Sequence, residues 1–438
     1  MAASNCLKAI NQVLRHARNS EFHRERLPAA PLQSWDEFRQ LPFMFRKDLS
    51  QQSPQGLVCV PEQELSQYHE SSATTGSPLS VWYSRSDLEE IRGHFSQWGV
   101  DFGPADRVLV RFPYALSTIG HFVHAAAQHK GACVIPADSR TSVTPLPRVV
   151  ELMRRLQVTV LATLPLAAVM LAETAEMLGW VPGKDFPRLR ALCCAGEPLT
   201  ASRRQLLERL WGVPVYDNYG MTETGPLAMD CSHRGLHPWD EHFWLEVLDE
   251  QLEKEVAPGE LGYLVVTSLT PRASPVIRYQ TGDRVQRLNE PCECGRTSRL
   301  RIRGRWDDCL WNQGRPFDLW ELEEMVSQFP ARRFWRVALE DGVLRFVVER
   351  ECEADVLAPT VLARLEQRHG VRVRVDLVPK GTLYDRKEPV SFGMPGKPNY
   401  VCPPQSLINL FPPASINPSL SQSAGGARTT EGREETLS

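Results

Sequence analysis

The apolar positions change rhythm along the chain, and each rhythm predicts a different kind of element. Ile10, Val13 and Leu14 recur at helical spacing and proline punctuation follows over 27–32, so the opening segment reads as helices and turns. From about residue 108, short β-rich runs alternate with helical stretches. Strands are predicted over 107–111, 131–136, 158–163 and 189–194, with helices over 120–130, 147–156 and 166–178. Such alternation predicts a parallel sheet flanked by helices. Beyond Gly259 the runs become shorter and more β-like, with strands over 262–268 and 276–279. The stretch 307–402 predicts a small α+β unit: a helix over 319–328, a strand pair within 333–348 and a helix over 355–369. Residues 403–438 are rich in Pro, Ser, Gly and Thr, offer little to bury, and are expected to be disordered. The expected fold is therefore α/β, with a large N-terminal domain over 1–306, a small C-terminal α+β domain over 307–402, and a tail.

Composition narrows the partners. At about 100–200 residues per domain, 438 residues suffice for several folding units and a sizeable core. Fifty Lys and Arg against 53 Asp and Glu leave a net charge of −3, which argues against a broad footprint for nucleic acid or an anionic membrane. The most apolar stretch, 158–171, is too short to span a bilayer and is broken by Pro165. The segment 1–22 carries charge and no long apolar block, so a secretory leader is not expected. Eleven cysteines are an odd number spread thinly, which fits a reducing cytoplasm better than a disulfide framework.

Four segments bear chemistry. Ser71-Ser-Ala-Thr-Thr-Gly-Ser-Pro78 is dense in hydroxyls and small residues, which lets backbone amides wrap a polyphosphate; alone, such a run is more often a plain turn. Tyr216-Asp-Asn-Tyr-Gly-Met-Thr-Glu-Thr-Gly225 offers a hydroxyl, a carboxylate for a hard cation and an aromatic face. Thr222 and Glu223 equally suit the first turn of a helix. Arg278-Tyr-Gln-Thr-Gly-Asp283 puts a carboxylate at the end of a strand and turn, where it suits ribose hydroxyls or merely caps a hairpin. Arg303-Gly-Arg-Trp-Asp-Asp308 falls where the large domain gives way to the small one.

Singly these are weak; their order and spacing are specific. They resemble the adenylate-forming superfamily of acyl-CoA synthetases, adenylation domains and luciferases, and within it the phenylacetate–CoA ligase family. Leu41 to Leu49, Cys194-Ala-Gly-Glu-Pro198, Gly259-Glu-Leu-Gly262, Thr267 to Thr270, Pro275 to Tyr279 and Cys292-Glu-Cys-Gly-Arg296 extend the likeness over about 41–397. The resemblance implies that Ser71, Ser72, Thr74, Thr75 and Gly76 hold the ATP phosphates. It places Ala195, Gly196, Glu197 and Pro198 at the adenine, and Asp217, Tyr219, Gly220 and Met221 in the nucleotide site. Thr222 would contact phosphate, Glu223 would bind Mg²⁺, and Asp283 aided by Arg305 would hold the ribose. Asp307 would be the hinge about which a mobile small domain turns. The catalytic Lys would be Lys397 in Pro395-Gly-Lys-Pro398, with Lys387 as competitor. Two departures stand out: Ala73 where the family usually has Gly, and Ser77 where it usually has Lys.

The implied reaction is ATP-dependent activation of an aromatic or short apolar carboxylic acid, followed by transfer to a thiol, by default CoA. An amine or a carrier-protein thiol would need the same first half-reaction. Ala73, Ser77 and the blurred Lys region also admit a non-catalytic nucleotide- or acid-binding relative. Phe112, Tyr114, Phe122, Tyr216, Tyr219 and His121 are candidates for the acyl pocket, although ordinary core packing is the commoner role of such residues. Cys231, His237, Cys292 and Cys294 form a Cys/His set suited to tetrahedral zinc, with His233 as fallback ligand. Spacing alone favours buried free thiols there; the resemblance is what implies a structural zinc. It also implies a homodimer.

Overall fold

The computed structural model describes residues 3–71, 78–387, 398–408 and 410–411. Ser72, Thr74, Thr75, Gly76 and Lys397 lie outside the described residues, as do Ala73 and Ser77. The large domain is built on a seven-stranded sheet, in spatial order Cys133–Pro136, Arg107–Val110, Val160–Thr163, Ala191–Ala195, Val215–Met221, Gly225–Asp230 and Leu236–Pro238. The first five strands are parallel and the last two antiparallel. Helices cover the sheet, so Val160–Thr163 and Ala191–Ala195 are buried at every position and read as continuous rather than alternating runs. The helix Pro165–Met177 is likewise buried from Pro165 to Ala175, which explains its apolar sequence on all sides.

A second sheet of four antiparallel strands follows: Phe243–Leu248, Leu261–Ser268, Tyr279–Leu288 and Arg299–Arg305. The strand expected over 276–279 begins only at Tyr279. Arg278 adopts φ +46° and turns its side chain into the interior, where Nη2 meets Glu246 Oε1 at 3.1 Å. That bend ends any extended run before Tyr279. A hairpin of Leu65–Glu70 and Ser80–Ser84 flanks the segment that follows Ser71.

A short 3₁₀ turn, Trp306–Asp308, separates the second sheet from the small domain. The small domain has a hairpin (Leu310–Asn312, Arg315–Phe317), the helices Leu319–Val326 and Pro359–His369, and a three-stranded sheet of Trp335–Glu340, Val343–Glu349 and Arg372–Val378. It has a core of its own around Phe317, Leu322, Trp335 and Phe346. The expectation of an unpacked tail from 403 onward fails for its first residues. Leu407, Leu410 and Phe411 are buried, and the Leu410 amide donates to Leu383 O at 2.7 Å. Three apolar side chains among prolines were enough to dock.

The small domain sits on the large one through apolar packing, in which Phe334, Ala338, Val347 and Leu383 join the large domain's core, and through ion pairs. Arg203 Nε donates to Glu323 Oε1 at 2.8 Å, with both side chains buried. Arg386 bridges Glu173 of the large domain at 3.0 Å and Glu349 of the small domain at 2.6 Å. Arg333 reaches Glu176 at 2.6 Å. Removing one partner of a buried pair strands the other charge. Glu323→Ala is therefore expected to cost about 3–5 kcal/mol, read as a lowered urea midpoint. A loss below about 1 kcal/mol would place this pair in the exposed, weak class instead.

Candidate active site

The site grows from a hairpin. Val215–Met221 runs out of the sheet, turns at Thr222-Glu223-Thr224, and returns as Gly225–Asp230. Thr222 and Glu223 thus belong to a β-turn rather than a helix start. The two strands approach so closely that a Cβ on Gly220 would lie 2.5 Å from Gly225 O and 2.8 Å from Pro226 Cα. Tyr83 fixes the turn by donating its hydroxyl to Thr222 O at 2.7 Å.

Beside the hairpin is a cavity of about 250 Å³. Ser71, Ala195, Gly196, Gly220, Met221 and Thr222 line it, as does Asn218. Gly196 holds φ +81°, the left-handed region that glycine enters freely. An apolar flank is supplied by Pro113, Leu116, Ile119, Phe122 and Leu164. Of the aromatic candidates only Phe122 lines the cavity. Phe112 is fully buried in the core, Tyr114 turns its hydroxyl to His124 Nδ1 at 3.2 Å, and His121 Nε2 meets Tyr114 O at 3.0 Å. Tyr216 also lies off the wall, among Cys193, Arg190 and Arg234.

Two contacts stitch the hairpin to the second sheet. Tyr279 donates its hydroxyl to Glu223 Oε1 at 3.1 Å. Tyr219 donates to Asp283 Oδ2 at 2.6 Å, while Arg305 Nε approaches Oδ1 at 3.4 Å. Burial, and then the Asp283 charge, push the Tyr219 phenol well above its ordinary pKa, so it remains a donor. Asp283 stands inside a strand, not at its end. Gly282 at φ +80° and a shift in register re-aim the carboxylate.

Some expected positions serve the scaffold. Asp217 is buried away from the cavity; its amide donates to Asp230 Oδ2 at 2.7 Å, and Arg204 donates to the same oxygen at 2.8 Å. Burial, reinforced by the Asp230 charge, lifts the Asp217 carboxyl well above the ordinary carboxylate range. Glu197 turns its Oε2 to the Leu166 amide at 3.2 Å, satisfying the first turn of the Pro165–Met177 helix, and Pro198 is off the cavity wall. Lys387 is exposed, directly after the docking residue Arg386.

Arg46 is the residue that the sequence reading left without a role. Its Nη2 donates to Ser71 Oγ at 3.0 Å and its Nη1 lies 3.4 Å from Glu223 Oε1. It brings a cation to Ser71, the first residue of the hydroxyl-rich segment whose sequence has Ser at 77 where the family usually has Lys. The signal was its place in the 41–49 motif.

The Cys/His set converges. Cys231 Sγ and Cys292 Sγ are 3.6 Å apart, Cys294 Sγ and His237 Nε2 3.2 Å, and all four ligand atoms lie within 4.8 Å of one another. His237 Nδ1 faces Ser298 O at 2.6 Å, which leaves Nε2 for a metal. His233 is elsewhere, paired with Glu293 at 2.9 Å. Gly235 permits the approach, since a Cβ there would stand 2.9 Å from Cys292 Sγ.

A sequence model of the AMP-binding enzymes matches residues 17–270, more than half of the chain. The chain belongs to the AMP-binding enzyme family. A phenylacetate–coenzyme A ligase of Pseudomonas putida is 31% identical over 73% of this chain and 74% of its own. Among solved structures, 2-hydroxyisobutyryl-CoA ligase in the postadenylation state superposes with a TM-score of 0.81 at 23% identity, covering 95% of this chain and 91% of that one. The same ligase in the thioesterification state gives 0.66 at 24% identity, over 97% and 93%. The likeness to these solved structures is one of fold. Because Gly220 has no room for a side chain, Gly220→Ala is expected to cost about 1–3 kcal/mol of stability. It should also weaken ATP binding at least tenfold by calorimetry. Unchanged ATP affinity in Gly220→Ala would detach the hairpin from the nucleotide.

Proposed function

We propose that the chain is an AMP-forming acid–CoA ligase. A substrate carboxylate oxygen attacks the α-phosphorus of ATP, pyrophosphate leaves, and the CoA thiol then displaces AMP from the acyl carbon. The observation that carries this reading is the seam itself. Ser71, Arg46, Thr222 and Glu223 gather donors, a cation and a carboxylate at one place, and the Tyr219–Asp283–Arg305 group stands beside it through Gly220. Both attacker and target are anions, so alignment and charge neutralisation dominate the barrier. The hard carboxylate oxygens of Glu223 fit Mg²⁺, which is commonly held by one or two carboxylates plus substrate phosphates. Bound there, the ion would neutralise phosphate charge.

The apolar flank of Pro113, Leu116, Ile119, Phe122 and Leu164 favours an aromatic or short apolar acid in a cavity of about 250 Å³. For the catalytic Lys, Lys397 is the better candidate. Three residues on, Tyr400 accepts from Arg203 Nη2 at 3.2 Å, at the start of the helix Ala201–Trp211 that follows the Ala195–Pro198 segment. Lys387 follows Arg386, which is anchored at Glu173, eight residues along the helix from Pro165 and so about 12 Å from that helix's start. The turn Trp306–Asp308 is the proposed hinge, with Asp307 exposed in it. The TM-score is higher to the postadenylation form of 2-hydroxyisobutyryl-CoA ligase than to its thioesterification form, 0.81 against 0.66. Among the described residues no helix is long and apolar enough to cross a membrane, and all eleven cysteines are free, which suits a reducing, cytoplasmic setting.

The test is formation of a CoA thioester and AMP, followed by mass spectrometry over a panel of aromatic and short aliphatic acids. Glu223→Gln, Asp283→Ala and Lys397→Ala are each expected to lower the rate about 10²–10³-fold with the fold intact, and Lys387→Ala to be mild. Wild-type rates in the first three would remove these residues from the chemistry.

The four-residue Cys/His set is proposed to hold one structural zinc. Thiolates with one imidazole are the usual donors of closed tetrahedral sites, and a Zn–S length of about 2.3 Å implies S···S near 3.8 Å, against 3.6 Å between Cys231 and Cys292. Metal analysis of protein purified without added zinc should find one tightly held zinc per chain, and Cys292→Ser should lose it and lower the melting temperature. A folded, metal-free wild type would contradict the assignment.

A further inference from the structure

A second cluster of metal-competent side chains lies outside the site and outside every motif. His94 is near the end of the helix Arg85–Phe95, and Glu241 and His242 immediately precede the strand Phe243–Leu248. One ligand atom from each of the three falls within 4.8 Å of the others. The two imidazoles meet edge to face, centroids 3.9 Å apart at 81°, with Nε2 of His94 in contact with Nε2 of His242. Two ring nitrogens aimed at one point from elements 148 residues apart is the arrangement that a shared cation or a shared proton stabilises.

The surroundings favour the cation. Glu90 Oε1 lies 3.0 Å from His242 Nδ1, on the far side of that ring. A carboxylate beside the outer nitrogen adds negative charge behind the two rings, which favours a cation shared between them. Glu90 is itself held by Arg272 and by the Thr270 hydroxyl at 3.4 Å. Glu241 is exposed and supplies a negative oxygen donor from the solvent side. The ring of Trp239 stands 4.7 Å from His94 and closes the other side.

We propose that His94, His242 and Glu241 form a second metal site, for a borderline divalent ion of the zinc class. Two imidazoles and one carboxylate with an open fourth position are a donor set that Zn²⁺ or Co²⁺ accepts readily and Mg²⁺ does not. The site differs from the Cys/His set in having no thiolate and a solvent-facing ligand, so its ion exchanges. It is two side chains from the active-site turn: Arg272, which holds Glu90, donates its Nη1 to Thr224 O at 3.0 Å.

The full chain, dialysed against a chelator until its metal content is constant, is titrated with Co²⁺. Visible absorption reports coordination and near-ultraviolet absorption reports thiolate ligation. The expected result is one saturable equivalent with visible bands and no thiolate band. His94→Gln and His242→Gln should each raise the Co²⁺ dissociation constant at least tenfold. Glu241→Gln, being exposed, should fold normally and also weaken binding at least tenfold. The proposal is overturned by a wild type with no saturable thiolate-free absorption, which would leave a plain imidazole–imidazole hydrogen bond. It is equally overturned by Glu241→Gln binding Co²⁺ as tightly as wild type.

Discussion

The hydrogen bond from Tyr219 to Asp283, 2.6 Å long, joins two sheets that share no backbone ladder. Tyr219 stands on a central strand of the seven-stranded sheet and Asp283 on an inner strand of the four-stranded one. A few residues along, Tyr279 repeats the link to Glu223. Both tyrosines are pushed well above their ordinary pKa by burial and then by the carboxylate they serve, so both links persist as neutral donors to charged acceptors. The Cys/His set is a third link across the same seam, because Cys231 and His237 belong to the first sheet's edge and Cys292 and Cys294 to a hairpin loop of the second. These ties fix the second sheet against the hairpin that carries the cavity residues Gly220, Met221 and Thr222.

The contact with the small domain is built differently. Its buried ion pairs, Arg203–Glu323 and Arg386 with Glu173 and Glu349, give geometric definition. Charges buried in such pairs gain little net stability over water, because desolvation offsets most of the attraction. These pairs register the orientation, while Phe334, Ala338, Val347 and Leu383 of the small domain pack into the large domain's apolar core. The small domain keeps an apolar core of its own around Trp335, beyond the turn Trp306–Asp308 proposed as the hinge.

Much of this was legible from the residues. The parallel sheet followed from alternating apolar runs, because strands buried on both faces cannot hide their composition. Thr222, Glu223 and Asp283 were singled out by motif, and the Cys/His set, picked out the same way, does converge in the fold. Asp217, Glu197 and Tyr114 were not separable from true cleft residues, because a motif does not say which way a side chain points; strand alternation turns Asp217 under the sheet while Asn218 faces the cavity. The role of Arg46 depends on a contact 177 residues away, and that of His94 on one 148 residues away. Such pairings exist only after folding. The packed Leu407, Leu410 and Phe411 were missed because three apolar residues vanish in a Pro- and Ser-rich average.

The central claim is that the seam activates an acid on its own, before any thiol takes part. The most direct measurement is exchange of labelled pyrophosphate into ATP by the full chain, with Mg²⁺ and an aromatic or short apolar acid, in the absence of CoA. The account predicts exchange that requires the acid and proceeds without the thiol. Exchange that appears only when CoA is added, or none with any acid although ATP binds, would contradict it.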